Sequence, residues 1–279
     1  MSKLHHIPSV ARLPLTIAII ALAPIITASA ELKSGTVFRD CAEACPEMVV
    51  VPAGSSTMGL GKPEIYAGDP DREMLANWQL PQHVVSFAKP FAVARYETTI
   101  AEWTACYRAG ACNGPPSLVE AIMKKRPPER TAVYDVSWLD AIGYIEWLSK
   151  LTGKRYRLLT EAEWEHAARA GSTTLYPWGD DVGTNNGACS NCGPEAPKPP
   201  VIGSYPPNNF GLYDTVGGVP EWVQDCFHEN YTGAPSDGSV FEGGDCGQRM
   251  VRGGMSSANA IFFVRRSGWQ RTLATESSD

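Results

Sequence analysis

The chain has 279 residues with a formal net charge of -6, and 43% of its residues are hydrophobic and 19% charged. This composition is typical of a globular protein, and the 26 Gly and 22 Pro predict many turns and short regular elements. The densest basic cluster, Lys124-Lys125-Arg126, is short, so the charge pattern argues against nucleic acid as a partner.

The first 30 residues have the pattern of a secretory signal peptide. The stretch Leu13 to Ala30 carries no charge and ends in small residues that suit a signal peptidase, so cleavage before Glu31 is expected. The alternative, an uncleaved membrane anchor, is disfavoured because the apolar stretch is short and contains two prolines. Residues 31–279 are then expected to form one exported domain, periplasmic or extracellular and free of the membrane, although their length also allows two domains.

Regular elements are predicted mainly in the first two thirds of the chain. Apolar runs bounded by Pro or Gly predict short strands over residues 47–53, 84–87 and 91–95. Three helices are predicted, each beginning after a Ser or Thr that can cap its first turn: from Thr99 to Gly110, from Ser137 to Gly153 and from Thr160 to Gly171. After Tyr176 no helical or strand periodicity is evident, and the aromatic residues there indicate packed but irregular chain.

The eight cysteines fall into four close pairs. An even number in an exported chain predicts disulfides, and local pairing is the simplest of the 105 possible connectivities. The expected bonds join neighbours in sequence: Cys41 with Cys45, Cys106 with Cys112, Cys189 with Cys192, and Cys226 with Cys246. For Cys189 and Cys192, a redox pair or half of a zinc site is the alternative, but no helix follows and no further ligands have a suitable spacing.

Seven motifs in order resemble the formylglycine-generating enzyme family, also called sulfatase-modifying factors. They read MVVVPAGSSTMG from Met48, FAVARYETTIAEW from Phe91, YDVSWLDAIGYIEWL from Tyr134, RLLTEAEWEHAARAG from Arg157, YPWGDD from Tyr176, NNFGLYDTVGGVPEWVQD from Asn208 and RMVRGGMS from Arg249. The resemblance implies an α+β fold with little regular secondary structure, similar to C-type lectins.

The family's oxidases convert a cysteine in a Cys-x-Pro-x-Arg peptide to formylglycine with copper and oxygen. They use two cysteines that follow an Arg-Gly-Gly motif, and thiolates are the soft ligands that suit Cu(I). Here no cysteine follows Arg252-Gly253-Gly254, and Ala258 and Phe263 stand near the expected positions. Copper is therefore not expected, and oxidase chemistry of the family type is in doubt.

The resemblance also implies candidate groove residues. The Arg252-Gly253-Gly254 turn is expected to form the floor of a peptide groove, or to be a purely structural turn. Their residue types make Trp178, Trp222 and Trp269, with Arg265 and Arg266, further candidates for the lining of a cleft. The alternative places the tryptophans in the core and pairs the arginines with Asp214 or Asp225. His228 is the best candidate for a general base.

One calcium site is expected only in residual form. The family's Asn stands at Gly218 here, while Glu221 is kept, so Glu221 with carbonyls at Gly218 and Val219 is the candidate site. A second site of the family draws on an Asn near the position of Ala188 and is in doubt as well.

Three functions are compatible with these residues. The chain is an exported oxidase of the family type, a non-catalytic relative that binds a peptide or small ligand, or an enzyme of different chemistry on the same fold, as a periplasmic siderophore-maturation relative is. Function follows the site rather than the fold, and the missing cysteines favour the second or third. A peptide or protein substrate is the expected partner.

Overall fold

The computed structural model describes residues 33–61, 77–181, 183–188, 201–254 and 272–273, all within the compact unit Leu32–Asp279. The fold combines helices and strands, as expected. Its helices are α1 (Ile100–Arg108), α2 (Pro116–Met123), α3 (Trp138–Thr152) and α4 (Glu161–Arg169), with a 3-10 turn at Pro128–Arg130. Its strands are β1 (Val37–Phe38), β2 (Met48–Val51), β3 (Gly54–Met58), β4 (His83–Phe87), β5 (Phe91–Ala94), β6 (Pro220–Phe227), β7 (Asp245–Gly253) and β8 (Thr272–Leu273). The signal peptide lies outside the described residues, and the domain boundary after residue 30 stays a prediction.

The three predicted helices are confirmed together with their caps. In α4 the Thr160 hydroxyl accepts the backbone N–H of Glu163 at 3.1 Å, and the Glu163 carboxylate accepts the N–H of Thr160 at 2.9 Å. The same reciprocal pattern begins α1 at Thr99 and α3 at Ser137. Each cap satisfies N–H groups that have no partner inside the helix, which explains why these starts could be located from sequence.

Within the described residues the strands form three small antiparallel sheets, in the orders β1-β2-β5, β3-β4 and β6-β7-β8. The strands predicted over 47–53, 84–87 and 91–95 are confirmed as β2, β4 and β5. The β6–β7 pair was missed by the sequence analysis. Two register shifts interrupt this pair, so its apolar residues do not alternate with the regular period of a strand.

Helix α4 lies at the centre of the core. Trp164 and Ala168 pack against Val223 and Met250 of the β6–β7 pair. Ala167, on another face of the helix, packs against β2 and β5. A nine-residue helix in contact with two sheets has almost no solvent-facing side, and even its charged side chains are buried. Those charges must therefore find partners inside the protein.

Three of the four expected disulfides are confirmed: Cys41–Cys45, Cys106–Cys112 and Cys226–Cys246. The last of these links β6 to β7. The fourth pair, Cys189 and Cys192, lies outside the described residues.

Among the helices that the structure describes, none has the length and apolar character required to cross a bilayer.

Candidate functional site

A buried charge network surrounds Arg252 near the end of β7. The Arg252 side chain has no solvent exposure. Its Nη2 donates to Oε2 of Glu165 at 2.7 Å, and its Nη1 lies 3.3 Å from Oε1 of Glu161. The Tyr231 hydroxyl also donates to Glu161, at 3.0 Å. The guanidinium therefore connects β7 to two successive turns of α4.

The charges of this network hold each other ionised. Burial opposes the charge of Arg252, but Tyr231, Glu165 and Glu161 outweigh it and raise the Arg252 pKa. Burial likewise disfavours the Glu165 carboxylate, yet Arg169 and Arg252 keep its pKa below the usual value. Glu165 also accepts the Gly59 N–H at 3.0 Å and Nε of Arg169 at 2.8 Å. Removing one member of such a buried ion pair is strongly destabilising, because it leaves an uncompensated charge in the interior.

The two glycines after Arg252 form a tight turn. Gly254 has a φ of 67° and its N–H donates to the carbonyl of Gly217 at 3.2 Å. A Cβ at Gly254 would lie 2.5 Å from the backbone nitrogen of Pro220, so only glycine allows this approach. The turn and the segment Gly217–Pro220 are thus packed backbone against backbone. The Arg252 side chain itself points into the core network and does not line an open groove.

A second group of carboxyls surrounds Gly218. Oε1 of Glu97 accepts the N–H of Val219 at 2.6 Å, and a Cβ at Gly218 would lie only 2.1 Å from that oxygen. Asp214 accepts the N–H of Gly203 at 2.6 Å, and Glu221 accepts Nε1 of Trp164 at 2.7 Å. The absence of a side chain at Gly218 therefore makes room for the Glu97 carboxyl.

The surroundings of these carboxyls disfavour their ionised forms. Burial and the charges of Asp214 and Glu221 raise the pKa of Glu97 well above its usual value, against the opposing Val219 N–H. Burial raises the pKa of Asp214 to about 6 and that of Glu221 to about 7. Oε2 of Glu97 is buried and has no hydrogen-bond partner among the described residues. Such an orphaned oxygen is uncommon in folded proteins.

Calcium does not fit the described side chains of this region. No group of three or more His, Cys, Asp or Glu side chains among the described residues is arranged to hold a metal. Gly218 supplies no side-chain oxygen, and one oxygen of Glu221 is already bonded to Trp164. Calcium prefers six or more oxygen ligands, so no step in the function is assigned to it here.

Two of the other candidate residues, Trp178 and His228, lie among the described residues. Trp178 stacks on Tyr176 at 5.1 Å between ring centroids and lines a cavity of about 120 Å³ that Asp214 also lines. His228 stacks on Phe241, with ring centroids 3.5 Å apart. The remaining candidates, Arg265, Arg266, Trp269, Ala258 and Phe263, lie outside the described residues.

The alternative that placed the tryptophans in the core can be checked for Trp222, and the partners of Asp225 are also described. Trp222 is buried, and its indole donates to the carbonyl of Val136 at 2.9 Å. Asp225 accepts the backbone N–H groups of Glu161 and Phe241, both at 2.7 Å. Both carboxylate oxygens of Asp225 therefore accept backbone N–H groups, one of them at the start of α4.

Sequence reasoning missed Glu161, Glu165 and Glu97 as interior groups. Glu161, Glu165 and Arg169 recur every four residues, which places them on one face of α4. That spacing was visible in the sequence. What was not visible is that this face is buried, because the neighbours that cover it come from distant segments.

A family model described as "Sulfatase-modifying factor enzyme 1-like domain" matches residues 33–277. The chain belongs to this FGE-sulfatase family. It is 28% identical to the formylglycine-generating enzyme of Thermomonospora curvata over 86% of this chain and 92% of that enzyme. Among solved structures, PvdO from Pseudomonas aeruginosa superposes with a TM-score of 0.70 and 37% identity, covering 88% of this chain and 95% of PvdO.

A third relative is named "Inactive C-alpha-formylglycine-generating enzyme 2", from Bos taurus. It is 37% identical over 123 residues, which are 40% of this chain and 37% of the bovine protein. The chain thus spans little more than a third of that relative's length. A serine/threonine-protein kinase of Chlamydia pneumoniae is 41% identical over 96 residues, and the chain spans only 14% of that kinase's length.

Two motifs that carry the FGE-sulfatase resemblance lie side by side in the fold. Glu221 pairs with Arg252, and Pro220 pairs with Gly253, across the β6–β7 ladder. The Gly218 region and the Arg252 turn are therefore one structural unit. In this family member that unit is built on α4 through Trp164 and Glu165.

Replacing Arg252 tests the buried network. We expect Arg252→Met to lower the free energy of unfolding by about 3–5 kcal/mol, because it removes the guanidinium that Glu161 and Glu165 face inside the core. The measurement is urea unfolding followed by tryptophan fluorescence. Arg157→Met is the matched control, since Arg157 bonds Glu163 of the same helix but is partly exposed, and should cost about 1 kcal/mol or less. Equal losses for the two variants would contradict a special role for Arg252.

Asp214 makes stability depend on pH with a defined sign. Its pKa is about 6 when folded and about 3.9 when unfolded, so the folded state binds more protons and stability falls as pH rises from 4 to 7. Asp214→Asn keeps the bond to Gly203 and tolerates the φ of 56°, but does not titrate. Between pH 4 and 7.5 the variant should gain about 2–3 kcal/mol relative to the wild type. The measurement is the free energy of unfolding of both proteins as a function of pH, first in EDTA and then in calcium. Curves that run parallel for the wild type and the variant would contradict the prediction.

Proposed function

We propose that this family member is exported, does not carry out copper–thiol oxidation, and uses its fold to bind a peptide or small ligand. The observation that carries the proposal is that no cysteine follows the Arg252-Gly253-Gly254 turn in the sequence. No cysteine follows Cys246 in the sequence, and Cys246 is bonded to Cys226. The bovine relative named as inactive is in accord with loss of the oxidase activity in part of the family.

Copper chemistry needs soft ligands that the described residues do not offer. All six described cysteines are in disulfides, which cannot ligate Cu(I) as thiolates do. Cys189 and Cys192 are the only other cysteines of the chain, and they lie before the turn in sequence. A copper site at the usual place would have to be built without the two thiolates that follow the turn in the family's oxidases.

A small cavity supports the binding function. The half-buried Trp178 lines it together with Asp214, whereas Gly253 and Gly254 are buried and do not. Aromatic side chains in a concave surface are common features of binding sites. Residues Arg265, Arg266 and Trp269 would add basic and aromatic groups for a protein partner.

An enzyme of different chemistry on the same fold is the second candidate. The observation that favours it is the set of carboxyls around Gly218, whose pKa values burial raises toward neutrality. Groups with such values can donate and accept protons at physiological pH, and they concentrate at functional sites. His228 would add a further base in this proposal.

The proposed fold type is that of C-type lectins, which the short separate sheets and long irregular segments support. Export is supported by the uncharged Leu13 to Ala30 segment together with three disulfides, since such bonds persist in oxidising compartments.

Export predicts one processing site. Expression of the full chain in a Gram-negative host should give a mature protein that begins at Glu31 and is recovered from the periplasm. Amino-terminal sequencing and intact mass measure this directly. A protein retained with Met1 in the membrane fraction would show an anchor instead of a cleaved signal.

The absence of copper–thiol oxidation is tested with a Cys-x-Pro-x-Arg peptide. Copper-loaded mature protein should leave the peptide thiol unchanged by mass spectrometry, because it lacks the two thiolates that hold Cu(I). The Thermomonospora curvata enzyme is the positive control. Thiol loss with appearance of an aldehyde would overturn the proposal. A Cys189→Ser, Cys192→Ser double variant would then show whether that pair supplies the metal ligands.

Peptide binding is measured in the same series. A fluorescent Ser-x-Pro-x-Arg peptide, with Ser in place of the reactive Cys, is titrated with the mature protein. Its fluorescence polarisation should rise and saturate as the protein binds it. Trp178→Ala should weaken it, and a Trp147→Ala variant on α3 serves as the control for loss of a tryptophan elsewhere. Lack of saturation with any peptide leaves the non-oxidase conclusion intact and contradicts the peptide-binding function.

A further inference from the structure

A partly open cavity of about 240 Å³ is lined by residues of the β2–β5 pair, of helix α3 and of the segment from Val219 to Trp222. Its wall is mostly apolar and aromatic, with Trp103, Tyr144, Leu148 and Trp222 among the lining residues. Arg252, Gly253 and Gly254 are not part of this wall. A largely apolar cavity of this size can hold a small ring-containing molecule.

Two polar atoms of the wall are unsatisfied. Oε2 of Glu97 and the hydroxyl of Tyr144 are buried, and neither has a hydrogen-bond partner among the described residues. Both residues are only 6% exposed. Leaving one such group without a partner costs about 1–3 kcal/mol, so two on a single cavity wall indicate that something polar belongs there.

Glu97 also lines a wider cleft of about 370 Å³, and the two spaces share Pro46 and Tyr96 as well. The cleft has an excess of acidic side chains. Its carboxyls come from Glu43, Glu47, Glu97, Glu102 and Glu129, and its basic groups are Arg39 and Arg130. A cleft lined mainly by one sign of charge concentrates ligands of the opposite sign. Cations are therefore favoured at the place where the cleft meets the cavity.

The wall chemistry selects among cations. A metal ion is disfavoured because no three ligating side chains come together among the described residues. An anion would face Glu97 and Glu221, and a purely apolar molecule would leave Oε2 of Glu97 without a partner. An ammonium group donates hydrogen bonds to a carboxylate or a tyrosine oxygen, and it is also attracted to aromatic rings.

We propose that this cavity binds a small organic cation, an amine with an apolar or aromatic body, whose ammonium group pairs with Glu97. The apolar body lies among Trp103, Tyr144 and Leu148, and the acidic cleft is the entry side. Arg252, Gly253 and Gly254 do not line the cavity, although their ladder partners Pro220 and Glu221 do. Amine binding is therefore measured independently of peptide oxidation and peptide binding.

The test compares phenethylamine with 2-phenylethanol, which has the same body and no charge. Titration calorimetry on the purified mature protein should show saturable amine binding at least 10-fold tighter than that of the alcohol. Glu97→Gln keeps an acceptor for the Val219 N–H and should weaken the amine by 10-fold or more. Glu43→Gln, an exposed acid of the same cleft, should change affinity by less than 3-fold.

A cavity-filling variant makes the test independent of Glu97. Ala141 of α3 is half-buried and lines the cavity, so Ala141→Leu should abolish binding of both compounds while circular dichroism and the unfolding transition stay those of a folded protein. Equal affinity for amine and alcohol, or unchanged amine binding in Ala141→Leu, would overturn the proposal. A third result would also overturn it: millimolar calcium displaces the amine from the wild type but not from Glu97→Gln. Glu97 would then be a metal ligand.

Discussion

The Arg252 guanidinium, enclosed by Glu161 and Glu165, holds the centre of this protein together. It belongs to β7, while both carboxylates belong to α4, so a single side chain ties a strand to a helix at full burial. Glu165 extends the connection to the backbone of Gly59 at the end of β3. Two sheets and the central helix thus share one set of charges. In a low-dielectric interior such charges are tolerable only when all are in place, which makes the arrangement cooperative.

This network also positions the turn that follows it. Gly253 and Gly254 come directly after Arg252, and they pack on Pro220 and Gly217 without intervening side chains. The buried guanidinium therefore holds the β6–β7 ladder and the Gly217–Pro220 segment against α4.

How much could be predicted from sequence depended on the distance between interacting residues. Helix starts at Thr99, Ser137 and Thr160 were correct because each cap involves residues three positions apart. Three disulfides were correct because their cysteines are separated by 4, 6 and 20 residues. The family motifs supplied the mixed α+β fold.

Features that depend on distant segments could not be predicted. Arg252 was expected in a groove, but its partners stand 87 and 91 residues earlier in the chain. The β6–β7 pair was hidden by its bulges, which remove the alternation that identifies strands. Glu97 was overlooked because its interaction with the Gly218 region spans 122 residues to Val219. Polar groups inside a core have no periodic signature, so only the folded arrangement reveals them.

The close fit between Glu97 and Gly218 couples two positions that are far apart in the chain. Any side chain at 218 would collide with the Glu97 carboxyl at 2.1 Å, and a left-handed φ of 74° adds strain for most residues. Restoring the family's Asn at 218 alone would therefore not rebuild a calcium site, because the amide and the carboxyl compete for one volume. A larger side chain at 218 therefore requires a smaller one at 97. Across homologous chains, we expect the two residues to co-vary.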